Sequence, residues 1–246
     1  ARVKAAQKII SEAEKTLNQG WRTTLSLGGN VSRGTADAAS MSFNIGAKRK
    51  VGDSKTSLTA FYLLNTQNGE TSQNWFQIAG SQSWKVRSWP DRYSLFAEAV
   101  FDWQEQASWE QRVNGNIGLG YQVIDASRPA GTDWFQTLKL QARVAPGFRK
   151  EFAGTNTDWV PELLLGGVWT LAFLEDLTWT GNAQAFPDLV NLGEVRVSAN
   201  TNLKLALDSV QGMSLGMGLR FQYQSEVTPG DENYLLVVEG LVSYEF

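Results

Sequence analysis

The sequence predicts an all-β protein: a transmembrane antiparallel up-and-down β-barrel of about twelve strands, preceded by a short N-terminal α-helix. Three observations lead there. From Trp21 to Phe246 the chain is a series of segments that alternate apolar and polar side chains and are separated by turn residues, the period-two signature of strands with one apolar face. The segments run slightly longer than the about 9–11 residues a tilted strand needs to cross hydrocarbon, whereas strands of soluble domains average about five to six. Their polar faces carry mainly Ser, Asn, Thr, Gln and Gly rather than Lys and Glu, small groups that fit a concave interior.

Residues 2–18 contain no Gly or Pro and read as the helix. Val3, Ala6, Ile10, Ala13 and Leu17 recur at three- and four-residue steps, a narrow apolar stripe suited to another helix or to a barrel rim. Asn18, Gln19 and Gly20 end it, Gly being the usual residue just past a helix.

The first strand is expected near 21–32, with Trp21, Thr23, Leu25, Leu27 and Val31 on one face and Arg22, Thr24, Ser26, Gly28, Asn30 and Ser32 on the other. The second, 39–51, sets Met41, Phe43, Ile45 and Ala47 against Ser40, Ser42, Asn44 and Lys48. Gly52-Asp53-Ser54-Lys55 turns into 56–66, and Asn68-Gly69, a strong hairpin pair, leads to 73–85. Trp89-Pro90-Asp91 precedes 92–104, where Tyr93, Leu95, Ala97, Ala99, Phe101 and Trp103 oppose Glu98 and Asp102. The sixth, 111–124, alternates from Val113 to Val123 and is followed by the turn Arg128-Pro129-Ala130-Gly131.

The seventh and eighth strands are expected near 134–145 and 160–172. Pro146 and Pro161 cannot donate to a ladder and are expected to bracket the longest loop, around Gly154. The ninth, 176–186, ends at Pro187-Asp188. In the tenth, 194–207, Val195, Val197, Ala199, Leu203, Leu205 and Leu207 oppose Arg196, Ser198, Asn200, Asn202 and Lys204. In the eleventh, 212–224, Leu215, Met217, Leu219, Phe221 and Tyr223 oppose Ser214, Gly216, Gly218, Arg220 and Gln222. Pro229-Gly230-Asp231 leads into the last, 233–246, where Leu236, Val238, Gly240, Val242, Tyr244 and Phe246 share one face. Leu235, Val237 and Leu241 are apolar exceptions on the other face, beside Glu239, Ser243 and Glu245.

An even strand number puts both ends of a barrel on one side, as in bacterial single-chain barrels. Trp21, Trp75, Trp84, Trp89, Trp103, Trp109, Trp134, Trp159 and Trp169 fall near segment ends, where interfacial girdles are built. Charged residues make up 19%, below the roughly 25% of an average soluble domain. A net charge of −3 argues against a general nucleic-acid binder. No run of about 18 apolar residues is present, so no helix is expected to span a membrane. No signal peptide is visible, and Ala1 reads as a processed or trimmed start. Cys and His are both absent, which excludes disulfides, thiolate zinc sites, Cys nucleophiles and imidazole bases. No enzyme, cofactor or metal site is expected.

The opening Trp21-x-x-x-Leu25-Ser26-Leu27-Gly28-Gly29-Asn30 with Gly34-Thr35, together with Gly118-Leu119-Gly120-Tyr121, Phe186-Pro187-Asp188-Leu189 and the closing Tyr244-Glu245-Phe246, resembles the salt-induced outer-membrane protein family, the YdiY-like barrels. The likeness covers roughly residues 20–246 and does not include the helix. It implies a small barrel in the bacterial outer membrane with short connections and without catalytic residues. The terminal Val242, Tyr244 and Phe246 likewise resemble the closing strand that the barrel-insertion machinery reads in outer-membrane barrels. The expected organisation is a periplasmic helix over 1–20 and an outer-membrane barrel over 21–246, in contact with lipid and lipopolysaccharide.

With apolar faces toward lipid, Arg22, Lys48, Lys50, Arg112, Lys139, Arg143, Arg196, Lys204 and Arg220 line the lumen, as do Glu98, Asp102, Glu162, Glu239 and Glu245. The cations are in excess, and inward rings of Arg and Lys are how anion-preferring pores are built. The first expectation is therefore a small passive channel, leaning toward anions. Against it stand paired charges that plug a narrow lumen, since twelve strands lie between the filled eight-stranded barrel and the open porin. The alternative function is a non-conducting scaffold that anchors a partner through the helix at 2–18. A soluble barrel with inverted facings and an apolar ligand is the third reading. Glu98 and Asp102 are too weak a pattern for a catalytic carboxylate pair. Asp231-Glu232 reads as a solvated turn, and Gly28-Gly29 and Gly166-Gly167, inside strands, as bends or close approaches.

Overall fold

The structure, a computed structural model, describes residues 20–32, 38–107, 109–128, 135–153, 157–173, 176–225 and 233–246. The helix expected at 2–18, Gly34-Thr35, Trp134, Gly154 and Asp231-Glu232 lie outside the described residues.

Twelve strands follow one another: β1 (Trp21–Ser32), β2 (Ala38–Val51), β3 (Ser54–Gln67), β4 (Glu70–Trp84), β5 (Tyr93–Gln104), β6 (Gln111–Ser127), β7 (Thr137–Glu151), β8 (Trp159–Ala172), β9 (Leu177–Pro187), β10 (Val195–Ala206), β11 (Met213–Gln224) and β12 (Tyr234–Glu245). Each pairs antiparallel with its chain neighbours, and β1 pairs with β12 to close the barrel. At the seam Leu25 faces Tyr244, and Thr23 and Phe246 exchange two backbone hydrogen bonds of 3.0 Å. The closing strand thus carries the chain end to the first residues of β1. Local chemistry sets the hairpins: Asn68 and Gly69 both have positive φ, 53° and 85°, the backbone that a two-residue turn between twisted strands requires.

Two expectations are corrected. Pro146 and Pro161 do not mark the ends of the β7–β8 connection: β7 runs on to Glu151 and β8 begins at Trp159, so both prolines lie within strands, Pro146 paired with Leu163 and Pro161 with Phe148. Pro146 is tolerated because the ladder to β6 is interrupted beside it. Pairing passes from Asn116↔Gly147 to Leu119↔Val144, and the missing N–H falls in that gap. At Gly118 a Cβ would collide with the Val144 carbonyl and with Ala145, so the close approach of the two strands needs glycine there.

The second correction concerns the tryptophans. Trp75 points inward, is buried and meets Phe61 edge-on at 5.0 Å. Trp109 is buried against Arg112. Trp21, Trp84, Trp89 and Trp159 lie near strand ends as expected, with Trp84, Trp89 and Trp159 among the exposed large apolar residues.

The outer surface is apolar. Leu27, Met41, Ile78, Ile117, Leu165, Met217 and Leu236 are all more than two-fifths exposed. A water-soluble chain does not surround itself with such a band, whereas hydrocarbon requires it, and only a closed barrel satisfies every strand N–H and C=O there. No described helix is long and apolar enough to cross a membrane; the strands do the crossing.

Two apolar clusters sit inside. One joins Phe61 and Leu63 of β3, Trp75 of β4 and Val237 of β12, with Leu235 against it. The apolar exceptions Leu235 and Val237 on the inner face of the last strand are thereby explained. The other joins Phe96 of β5, Ala145 of β7, Leu164 of β8 and Phe186 of β9.

Ile117→Lys separates a lipid-facing from a water-facing belt. Unfolding from bilayers by denaturant is expected to show a loss of about 2–4 kcal/mol if Ile117 lies near the midplane; no change would mean that this face meets water. Gly118→Val is expected to cost about 1–3 kcal/mol by overpacking, read as a smaller folded fraction in gel-shift refolding assays.

Candidate functional site: the barrel lumen

Alternation sends one face of each strand inward, and closure brings residues distant in sequence into one lumen. Its charges fall into layers. In the middle, Arg143 of β7 lies 3.6 Å from Glu98 of β5 and over the Phe96 ring at 4.8 Å. Gln184 of β9 donates to the same Glu98 at 3.1 Å. On the opposite wall Arg220 of β11 lies 3.6 Å from Glu239 of β12 and 3.6 Å over the Phe61 ring of β3. Ser42 of β2 donates to Glu239. Gly28 makes room for this pair, since a Cβ there would strike Ser42, Glu239 and Leu241. Asp102 accepts from Gln77 at 2.7 Å and from the Trp75 indole at 3.3 Å.

Toward the mouth remote from the chain end, the charges condense into a buried network. Arg196 grips Glu162 with two hydrogen bonds of 2.9 and 2.5 Å, the fork geometry that only a guanidinium offers a carboxylate. Arg149 reaches Glu151 at 2.8 Å, Glu162 at 3.1 Å and Asp188 at 3.7 Å. Arg112 lies 3.6 Å from Glu151 and donates to Gln224 at 3.1 Å. Arg112 is on β6 and Gln224 on β11, nearly diametric in a ring of twelve, so this bond is a bar across the lumen. Asp188 also accepts from the backbone N–H groups of Val190 and Asn191, tying the β9–β10 connection to the network. Buried charges persist only when paired in this way.

At the mouth beside the chain end the charges are exposed. Arg22 stands opposite Lys48, and Lys50 opposite Lys55, all four on inward-facing positions. Lys139 pairs with Asp125 at 3.4 Å, and Lys204 with Glu245 at 3.6 Å.

A cavity of about 800 Å³ connects the layers. It runs from Lys48 and Ser57 near the terminal mouth to Gln106, Asn233 and Tyr234 at the other. Its charged lining is Lys48, Arg112, Arg143, Arg196 and Arg220 with Glu98 and Asp102, so the cation excess expected from the sequence reappears along the passage. Among the described residues, no group of three or more carboxylates is placed to hold a metal ion.

The expected lumen residues therefore separate into three groups. Glu98, Asp102, Arg112, Arg143, Glu162, Arg196, Arg220 and Glu239 lie inside, and all but Asp102 have a charged partner within 4 Å. Arg22, Lys48 and Lys50 are exposed at the terminal mouth, and Lys139, Lys204 and Glu245 are paired there. Val242, Tyr244 and Phe246 face outward, exposed, at the end of the seam. Arg149, Glu151, Asp188 and Lys55 were not singled out from the sequence. Arg149 and Glu151 continue the inward alternation of Gln141 and Arg143 past Pro146, a signal hidden once the proline is read as a strand end.

Residues 25–237 match the family model described as "Protein of unknown function, DUF481". No curated protein matches the chain. Among solved structures, the KdgM porin in complex with disordered oligogalacturonate is 12% identical, with 92% of this chain and 98% of that chain covered and a TM-score of 0.45. The NanC porin is 12% identical over 91% and 97%, with a TM-score of 0.47. The translocator domain of the autotransporter NalP from Neisseria meningitidis is 11% identical over 100% and 95%, with a TM-score of 0.43. The family match spans the barrel from within β1 to within β12 and agrees with the resemblance carried by the glycine-rich motifs: the chain belongs to the DUF481 family, whose members are YdiY-like barrels.

Proposed function

We propose that the protein is an outer-membrane channel that passes small solutes and favours anions. The observation that carries this reading is the cavity whose lining reaches from one mouth to the other. A barrel serving only as an anchor has no need of a polar passage through its length. Selectivity follows from the lining. Each arginine in the middle layer shares its charge with a carboxylate, but the carboxylates along the passage are fewer than the cations. The excess lies in the lining as a whole and at the exposed terminal mouth around Lys48, not in the paired layers, and it is this excess that favours an anion entering the bore. The outward terminal residues Val242, Tyr244 and Phe246 supply the feature by which insertion machinery would recognise the last strand.

Purified barrel in planar bilayers is expected to give discrete steps, with a reversal potential in a salt gradient that favours chloride over potassium. Absence of steps from a barrel verified as folded would sink the reading. Size and charge are expected to respond separately. Gln224→Ala opens the bar across the lumen without altering charge, and so should raise single-channel conductance while leaving the reversal potential unchanged. Lys48→Glu is expected to move the reversal potential toward cation preference at nearly unchanged bore.

A further inference from the structure

The terminal mouth holds an arrangement that neither folding nor simple conduction explains. On β1, β2 and β3 two like-charged pairs stand directly opposite each other: Arg22 with Lys48, and Lys50 with Lys55. Directly opposed like charges destabilise an antiparallel pair, and a sheet normally avoids them or inserts a carboxylate. Here the neighbouring carboxylates are engaged elsewhere. Asp53, in the turn between Lys50 and Lys55, pairs with Arg87 at 3.4 Å. Asp125 pairs with Lys139 at 3.4 Å. Among the described residues, Arg22, Lys48, Lys50, Lys55 and Lys85 have no carboxylate within ion-pair distance. Lys85, just past β4, also lies within electrostatic range of Lys55, as do both members of the Lys139–Asp125 pair, so the unpaired charge comes from β1–β3 and from Lys85. Lys48 lines the passage itself.

We infer that this mouth is a docking site for small multivalent oxyanions, bearing several phosphate or carboxylate groups, which are held there before they enter the lumen. The inference rests on the channel reading and gives it a direction and a solute class. Ammonium groups on flexible stems suit this role, because they adapt to different spacings of oxyanion groups where a guanidinium fork fixes one. Among the described residues, the inward cations toward the opposite mouth, Arg112, Arg149 and Arg196, are already paired with Glu151, Glu162 and Asp188.

The test uses the full chain and sodium tripolyphosphate. The chain has no cysteine, so Gln106→Cys at the other mouth reports the orientation of each inserted channel through a thiol reagent. Tripolyphosphate is expected to block from the terminal side, with block from the Gln106 side at least about tenfold weaker. In Lys50→Gln/Lys55→Gln the terminal-side block should weaken by about tenfold or more. Lys55→Glu adds a second readout: it turns the Lys50 pairing attractive, so its thermal midpoint should rise while tripolyphosphate binding falls. Equal block from both sides, or block unaltered in the lysine variants, overturns the inference while leaving the channel intact. Titration calorimetry on the folded barrel in detergent tests the site even if no conductance is found. Absence of binding there overturns it, and so does binding that appears only after residues 1–19 are removed, because the mouth would then belong to that segment.

Discussion

The obligation to pair every backbone N–H and C=O inside hydrocarbon governs this structure. A sheet of eleven hairpins leaves two edges, and in lipid each unpaired edge group costs several kcal/mol. The bonds between β1 and β12, ending in the exchange between Thr23 and Phe246, remove both edges. Once the ring is closed, alternation has a fixed meaning: one face belongs to lipid, the other to a lumen too small to be merely solvent. Everything in the interior follows from having to fill that space with the polar faces of a membrane protein.

The filling is a compromise between packing and passage. Two apolar clusters brace separate sectors of the wall, and arginines sit over the aromatic rings of these clusters while reaching for carboxylates. Arg220 over Phe61 and Arg196 over Phe186 both do this. Such stacking lets a weakly hydrated guanidinium sit beside apolar side chains without losing its ion pair. The result is an interior neither collapsed nor open, with a passage between the clusters. It lies between the filled and open limits that strand number alone allows.

Much of the architecture was legible in the sequence because period-two alternation and turn residues are local signals. The facings of β5 and β10 follow directly from Glu98 and Asp102, and from Arg196, Ser198 and Lys204. The failures occurred where a local rule was overruled by a partner strand. Pro146 reads as a strand end, yet the interrupted ladder to β6 absorbs its missing donor. Trp75 reads as an interfacial anchor, yet its position on the inner face and the approach of β12 place it in a core. The pairing of Arg112 with Gln224, or of Gln184 with Glu98, depends on strand register and on the curvature of the whole wall. Neither quantity is written in any segment alone. The cation excess was legible; which cations would be neutralised was not.

The seam between β1 and β12 has a kinetic consequence. Every other strand pair joins neighbours in the chain and closes a short loop, whereas the seam joins Thr24 to Glu245. The entropy of closing a loop rises only slowly with its length, but the seam becomes available only when the last residues have emerged and the curvature of all the preceding hairpins is in place. Assembly therefore passes through a curled, open sheet whose first strand waits for the last. During that interval its two edges are templates for pairing with other chains. The carboxyl-terminal strand is in this sense the clasp of the barrel, and the time a nascent chain spends without it is the time it most needs an escort.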